Sequence, residues 1–302
     1  MNLKERCESI YIATNYWILK GLFRALSWIP ALVTEKLAAG IAMLWFKLDK
    51  FHREIAISNL KIAFSNEKSS LEIEALAKKS FFNVANMIFE SSRAFHWDTA
   101  TIKKNLKIEG VEHLDSAQKK GKGVLLFSGH VGNWEMSLFI TDITPYVITG
   151  VYKKLKMAAV ERYILKKRQS RGGRMYPVKD AVGGILYELD QGNLMGLLID
   201  QNAKKLGVFV DFFGKKASSN KGLAQLALST GSPVVPYFIV KRNGGYVVEV
   251  LPEVPLINTG DVEADILANT SQYNKIIENF IRRYPEQWLW IHRRWRTRPE
   301  GE

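Results

Sequence analysis

The sequence predicts an α/β fold: a mixed sheet flanked by helices, preceded by an N-terminal helical membrane-anchoring segment. Two short apolar runs, Val124-Leu125-Leu126-Phe127 and Leu194 through Ile199, are bounded by glycine or polar residues and read as buried strands. Helical patterns lie between such runs, and strands alternating with helices give a sheet with helices on its faces. Residues 1–65 differ from the rest, because three apolar-rich stretches there (Ser9–Leu19, Ala25–Thr34 and Leu37–Phe46) carry no charge. The chain divides accordingly into membrane-associating helices over 1–65 and an α/β domain over 66–302, with Ser65 to Ser70 as the boundary.

Taken in order, the N-terminal stretches are interrupted by Lys20, Arg24, Glu35 and Lys36, so none reaches the ~20 residues of a simple span. An interfacial or marginally spanning anchor fits them better. Trp17, Phe23, Trp28, Trp45 and Phe46 suit the half-wet level of a membrane interface. Glu5 and Glu8 near the start do not suit a cleaved signal peptide. Lys47, Lys50 and Arg53 favour a cytoplasmic face for the α/β domain. Ser69 with Glu72 forms a capping box for a helix running to about Phe95, with Leu76, Phe81, Val84, Ile88 and Phe89 toward the core. Gly222 to Val240 carries no charge, but Gly231-Ser232-Pro233 splits it into a helix ending at Gly231 and a strand over 234–240. Residues 208–213 and 246–250 read as further strands, and Ser271 to Arg283 as a closing helix.

With 302 residues, 47% of them hydrophobic, the chain can bury a full core. The single cysteine, Cys7, excludes an intrachain disulfide, and the five histidines lack metal-ligand spacing, which argues against a catalytic metal. A formal net charge of +13 points to an anionic partner. Lys153, Lys154, Lys156, Arg162, Lys166, Lys167, Arg168, Arg171 and Arg174 stand against the single acid Glu161, and Arg282, Arg283, Arg293, Arg294, Arg296 and Arg298 close the chain. Solvated helix faces are one reading of these clusters; a phosphate group, an acidic carrier protein or an anionic bilayer as partner are the others. Nucleic acid suits the charge too, but no zinc finger, RNP-like strand or basic zipper is present.

The chemistry concentrates in Ser128-Gly129-His130-Val131-Gly132-Asn133-Trp134-Glu135, directly behind the first apolar run. His130 then stands at the carboxyl end of a strand, where open α/β sheets keep their ligand crevices. Glu135 falls in the first turn of the next helix, able to fold back toward the imidazole. A His oriented by a carboxylate is a general base for neutral pH. Ser128 is too close in sequence to align with the imidazole, and there is no Gly-X-Ser-X-Gly elbow, so a covalent seryl route is disfavoured.

His130-Val131-Gly132-Asn133-Trp134-Glu135 resembles the signature of the bacterial lipid A late acyltransferases, a branch of the lysophospholipid acyltransferase superfamily. Five further landmarks extend the resemblance over nearly the whole chain: His52 to Phe64; Val151-Tyr152-Lys153; Asp200-Gln201-Asn202 with Val208 to Ala217; Leu223 to Pro236; and Pro285 to Trp295 with Arg298 to Gly301. Lys153 departs from a position where relatives often carry Arg, keeping charge but losing the bidentate fork. The resemblance implies a membrane-associated enzyme at the cytoplasmic face of a bacterial inner membrane. Such an enzyme transfers an acyl chain from an acyl-carrier-protein thioester to a hydroxyl of a lipid A precursor and needs no cofactor beyond the donor. An acyl-CoA-dependent enzyme acting on another glycolipid or lysophospholipid is the alternative, and a catalytically dead membrane-binding module a more distant one. His130 would be the base and Glu135 its partner. Lys153 and one of Arg168, Arg171 or Arg174 would hold an acceptor or carrier phosphate, and Asp200 and Gln201 would lie near the acceptor. Backbone N–H groups around Gly132, or a basic residue, would hold the oxyanion.

Overall fold

Strand β2 (Val124–Ser128) is wholly buried and forms the centre of the molecule, because its side chains alternate between two cores. Leu125 and Phe127 join one apolar cluster, Val124 and Leu126 the other. The computed structural model describes residues 3–301; the side chain of Cys7 lies outside the described ones. In chain order the helices are α1 (Leu3–Trp28), α2 (Ala31–Leu48), α3 (Lys50–Phe64), α4 (Ser70–Ala94), α5 (Thr99–Asn105), α6 (Val111–Gln118), α7 (Ile140–Ile143), α8 (Ala158–Arg168), α9 (Ala181–Asp190), α10 (Gly222–Thr230) and α11 (Val262–Arg283). The remaining strands are β1 (Leu106–Glu109), β3 (Ile148–Tyr152), β4 (Met175–Pro177), β5 (Leu194–Leu198), β6 (Val208–Phe212), β7 (Lys215–Ser219), β8 (Val234–Arg242) and β9 (Gly245–Val250).

Seven strands form one sheet in the order β1-β9-β8-β2-β5-β3-β4. Every pairing is parallel except the hairpin of β8 with β9, so the sheet is mixed, as the sequence predicts. The predicted strand over 208–213 lies outside this sheet and pairs with β7 in a separate two-stranded ribbon. The capping box at Ser69 and Glu72 starts α4 as expected. Along α4, Phe81 and Phe89 are buried, whereas Ile88 faces outward at 50% exposure, contrary to expectation. The closing helix starts at Val262, capped by Asp261, well before the predicted Ser271.

The first helices pack on the body rather than standing apart. Ala38, Ala42 and Phe46 of α2 and Ala56 and Leu60 of α3 belong to the same apolar cluster as Leu125 and Phe127. Small residues let α2 approach α4 closely, and Thr34 accepts a 2.6 Å hydrogen bond from Arg93 of α4. Of the aromatic residues expected at an interface, Trp17 and Trp28 are exposed. Phe23 instead stacks on Phe95 and packs at a tilt against Tyr163, Phe46 packs on Phe81, and the Trp45 indole donates to Asp49. No single described helix is long and apolar enough to cross a membrane. Ile10–Trp28 and Ala31–Leu48 reach that length and apolarity only as a pair, across a 117° bend. Their outer faces carry Ile18, Leu22, Leu32, Leu37 and Ile41, all exposed, and give the chain an apolar helix pair suited to membrane association.

Candidate active site

The register of two central strands sets the site. β2 and β5 run parallel with Ser128 beside Leu198. Two residues further on, the chain reaches His130 on one strand and Asp200 on the other, side by side at the carboxyl edge. The Asp200 carboxylate accepts the His130 backbone N–H at 2.8 Å and the ring Nδ1–H at 2.7 Å. It accepts a third bond, 2.7 Å long, from the indole of Trp288. Burial alone would raise the pKa of a carboxyl that is 1% exposed. The facing imidazole and these hydrogen bonds outweigh burial and hold Asp200 down at about 2. It is therefore a carboxylate at any physiological pH.

Two glycines make the approach possible. A Cβ on Gly129 would press within 3.3 Å of the Asp200 carboxylate. Gly132 has φ 58° and lies so close to the Ile239 carbonyl that a Cβ would sit 2.2 Å from it. The segment 287–289 straps the loop from outside: the Gly132 N–H donates to the Gln287 carbonyl at 2.8 Å, and the Leu289 N–H donates to the His130 carbonyl at 3.1 Å. The strap is itself held by side chains from the N-terminal helices. Asn59 donates to the carbonyls of Trp290 and His292, Ser80 to that of Trp288, and Asn83 to that of Glu286.

Glu135 does not fold back to the imidazole. Asn133 accepts the Glu135 N–H and caps a short 3-10 helix, Trp134–Phe139, rather than an α-helix. From there both carboxylate oxygens of Glu135 are taken by Arg168, at 2.6 and 2.9 Å. The imidazole meets Trp134 instead, edge to face at 4.9 Å. With Nδ1 occupied by Asp200, the outward nitrogen is Nε2, and the exposed Gln201 side-chain nitrogen makes a long 3.4 Å contact with it. Beyond Trp134 a cavity of about 110 Å³ lies against the paired strands β3 and β5. Leu138, Ile148, Val151, Met175 and Leu198 line it, with the Glu135–Arg168 pair in its wall.

A half-buried imidazole whose Nδ1 is held by a carboxylate, next to an apolar cavity at a sheet edge, is equipment suited to group transfer. Over residues 3–297 the chain matches the family described as bacterial lipid A biosynthesis acyltransferase. The chain belongs to that family. It is similar to a lipid A biosynthesis acyltransferase of Haemophilus influenzae, 26% identical over 97% of this chain and 92% of the relative. A lipid A biosynthesis lauroyltransferase of Escherichia coli is 27% identical over 94% and 92%. A phosphatidylinositol mannoside acyltransferase of Mycolicibacterium smegmatis is 28% identical over 73% and 72%.

In this acyltransferase the residues expected at the site fall into separate groups. His130, Asp200 and Gln201 come together; Glu135 and Arg168 form a second pair behind Trp134. Asp200 makes only internal bonds, so its carboxylate is not open to an acceptor. Arg171 is bonded to Asp142 and to the Trp97 carbonyl, and Arg174 to the buried Glu188. Lys153 is exposed just after β3. Arg294, counted with the basic surface, is instead fully buried on Ser218 and Asn274, and burial lowers it to about 10. Ser128 is buried and donates to the Gly129 carbonyl. The N–H groups of His130, Val131 and Gly132 are all spent internally, at Asp200, the Gly129 carbonyl and the Gln287 carbonyl. Sequence reasoning missed Trp288 and Asn59 as parts of this apparatus. Both stand in segments that carry the family resemblance, but their partners lie far away in sequence.

Proposed function

We propose that the protein transfers a fatty acyl chain from an acyl-carrier-protein thioester to a hydroxyl of a lipid A precursor at a bacterial inner membrane, its α/β domain on the cytoplasmic face. His130 is the general base and Asp200 its positioning partner. The observation that carries this reading is the 2.7 Å bond from Nδ1 to Asp200, which leaves Nε2 as the one basic nitrogen facing the open edge. Nε2 takes the proton of the acceptor hydroxyl as that oxygen attacks the thioester carbonyl. Asp200 balances the imidazolium that forms. The tetrahedral oxyanion then collapses, the C–S bond breaks, and the imidazolium returns its proton to the leaving thiolate. Such a base contributes about 10²–10⁴-fold in rate.

With the neighbouring backbone N–H groups spent, the Gln201 side-chain amide is the donor for the oxyanion, and preorganised donors of this kind are worth about 10²–10³-fold. The acyl chain enters the apolar cavity beyond Trp134, and the Glu135–Arg168 pair keeps that wall in shape. Similarity to a phosphatidylinositol mannoside acyltransferase favours a second reading, in which the same base serves the hydroxyl of another glycolipid; acyl-CoA is the alternative donor in that reading.

The test is turnover. Detergent-purified protein and its His130→Ala variant are incubated with acyl-carrier-protein thioesters or acyl-CoA of several chain lengths and a lipid A precursor, and mass spectrometry seeks one added acyl group. Product from the native protein alone is expected. Full activity in His130→Ala would overturn the mechanism, and acylation of a different glycolipid from acyl-CoA would move donor and acceptor to the second reading.

A further inference from the structure

The arginines that the sequence offered for phosphate binding are tied to internal carboxylates, so anion recognition has to be sought elsewhere. A groove of about 760 Å³ lies between the start of α3, the loop after β5 and the C-terminal segment. Its walls carry Lys204, Lys205, Arg293 and Arg296, none of which has a carboxylate partner among the described residues. His52 also lines it, with its own acid, Asp49, at 2.6 Å. The lysines are presented by a built loop. Lys204 sits at φ 58°, a conformation lysine rarely adopts, with its N–H on the Asn202 side chain and its carbonyl taken by Ser218. Arg293 is steadied over the ring of Phe51 at 5.4 Å.

The groove leads to the reacting nitrogen. At its inner end His292 accepts the Asn202 N–H at 3.0 Å, and the residue before Asn202 is Gln201, beside His130 Nε2. Phe51, in the groove's wall, is more than half exposed, and so are Leu44 and Leu48, one turn apart at the end of α2 just before it in the chain. A ligand fitting both parts has an anionic head and apolar tails. We propose that this groove binds the phosphate-bearing head of the acceptor lipid. Lys204, Lys205, Arg293 and Arg296 take the phosphate oxygens while the acyl tails lie along the outer face of α2. Lysine and arginine match phosphate as charged donors, arginine with two parallel bonds. The thioester then reaches His130 from the Trp134 side and the acceptor from the Asn202 side. This proposal rests on the acyl-transfer reading above.

The experiment compares the native protein with a Lys205→Ala/Arg296→Ala double variant and with Arg296→Glu. Steady-state acylation is followed with a phosphorylated glycolipid acceptor and with the same lipid after dephosphorylation, while donor and acceptor concentrations are varied separately. The acceptor KM for the phosphorylated lipid is expected to rise about tenfold or more, with kcat and donor KM little changed. The dephosphorylated lipid should show the same KM in native and variant proteins. An unchanged acceptor KM overturns the proposal, and so does a rise in donor KM alone, which would give the groove to the donor's phosphate. Co-sedimentation separates this outcome from failure of the acyl-transfer reading. Native protein should bind phosphatidylcholine vesicles carrying the phosphorylated glycolipid better than plain ones, even if it turns nothing over. Equal binding by native and variant proteins overturns the groove irrespective of catalysis.

Discussion

Asp200 grips His130 at two atoms, the backbone nitrogen and ring Nδ1, through both of its carboxylate oxygens. The parallel register of β2 and β5 makes this possible, since each residue lies two positions past a paired strand end. The bond to Trp288 ties the carboxylate in turn to the C-terminal strap. The imidazole thus has one orientation and one tautomer before any substrate arrives, the preorganisation that the proposed proton transfer requires.

Asp200→Asn is the sharpest test of this arrangement. The amide is isosteric, but it can donate to Nδ1 and so favour the tautomer with Nε2 protonated, which cannot accept the hydroxyl proton. A fall in kcat of about 10³–10⁴-fold is expected, with far-ultraviolet circular dichroism unchanged. Trp288→Phe removes one of three bonds to the same carboxylate and should cost less, about tenfold. Initial rates at saturating acceptor measure both. An Asp200→Asn variant within tenfold of native activity would be incompatible with Asp200 as the positioning residue.

Glu135 and Arg168 should behave as one unit. Their side chains are 11% and 26% exposed, so breaking the pair leaves a charge largely out of water. Glu135→Gln or Arg168→Met alone should destabilise the fold by roughly 1–3 kcal/mol, the fully buried figure discounted for partial exposure. The double variant should lose less than the sum, because neither charge is then stranded. Thermal unfolding of the four proteins closes the cycle; additive losses would mean that the pair contributes nothing of its own.

Much of the fold is legible in the sequence where one physical signal dominates. β2 is buried throughout and β8 over 234–240, so both read as apolar runs, as does the partly buried β5, and α4 announces itself by its capping box. The start of α11 is hidden for the opposite reason. Its buried face carries Asp265 and Asn269, which hydrogen-bond locally, and Thr270, and these polar residues blur the apolar period. β4 is three residues long and Ala217 is the one apolar residue of β7, so neither has a run to detect. At the site, His130 is legible from its position behind a strand, and Asp200 from its place at the end of another. That the two meet depends on which strands are neighbours, information that no local spacing contains. Sequence proximity draws Glu135 to His130, but a 3-10 turn sends it toward Arg168, which stands on α8.

His292 predicts an acid limit. Burial, aided by the nearby His130 ring and the positive Arg294 and Arg293, outweighs the attraction of Asp200 and lowers this imidazole from 6.5 to about 4. The unfolded chain therefore binds one more proton than the folded one between those values, so stability rises with pH across that window and falls as pH drops from 6.5 to 4. At 1.36 kcal/mol per unit the loss is roughly 3 kcal/mol. Urea titrations at about pH 7 and pH 4 measure it. His292→Gln, which keeps an acceptor for the Asn202 N–H but cannot titrate, should remove most of this slope; an unaltered slope would assign it to other groups.

Asn59 links the N-terminal helices to catalysis without touching the site. Its amide nitrogen spans the carbonyls of Trp290 and His292, at 2.8 and 2.7 Å, in a position only 5% exposed. Asn59→Leu is close to isosteric but strands two acceptors away from water, at a cost of about 2–4 kcal/mol. The strap then loosens where Trp288 holds Asp200, so kcat should fall while both KM values stay near native. Asn59→Ala, which leaves space for a water to reach the same carbonyls, should lose less of both stability and rate. Paired measurements of unfolding and kcat on the two variants decide the matter. If Asn59→Leu lost its stability yet kept native kcat, the strap would be structural only, and His130 would be held by Asp200 without its help.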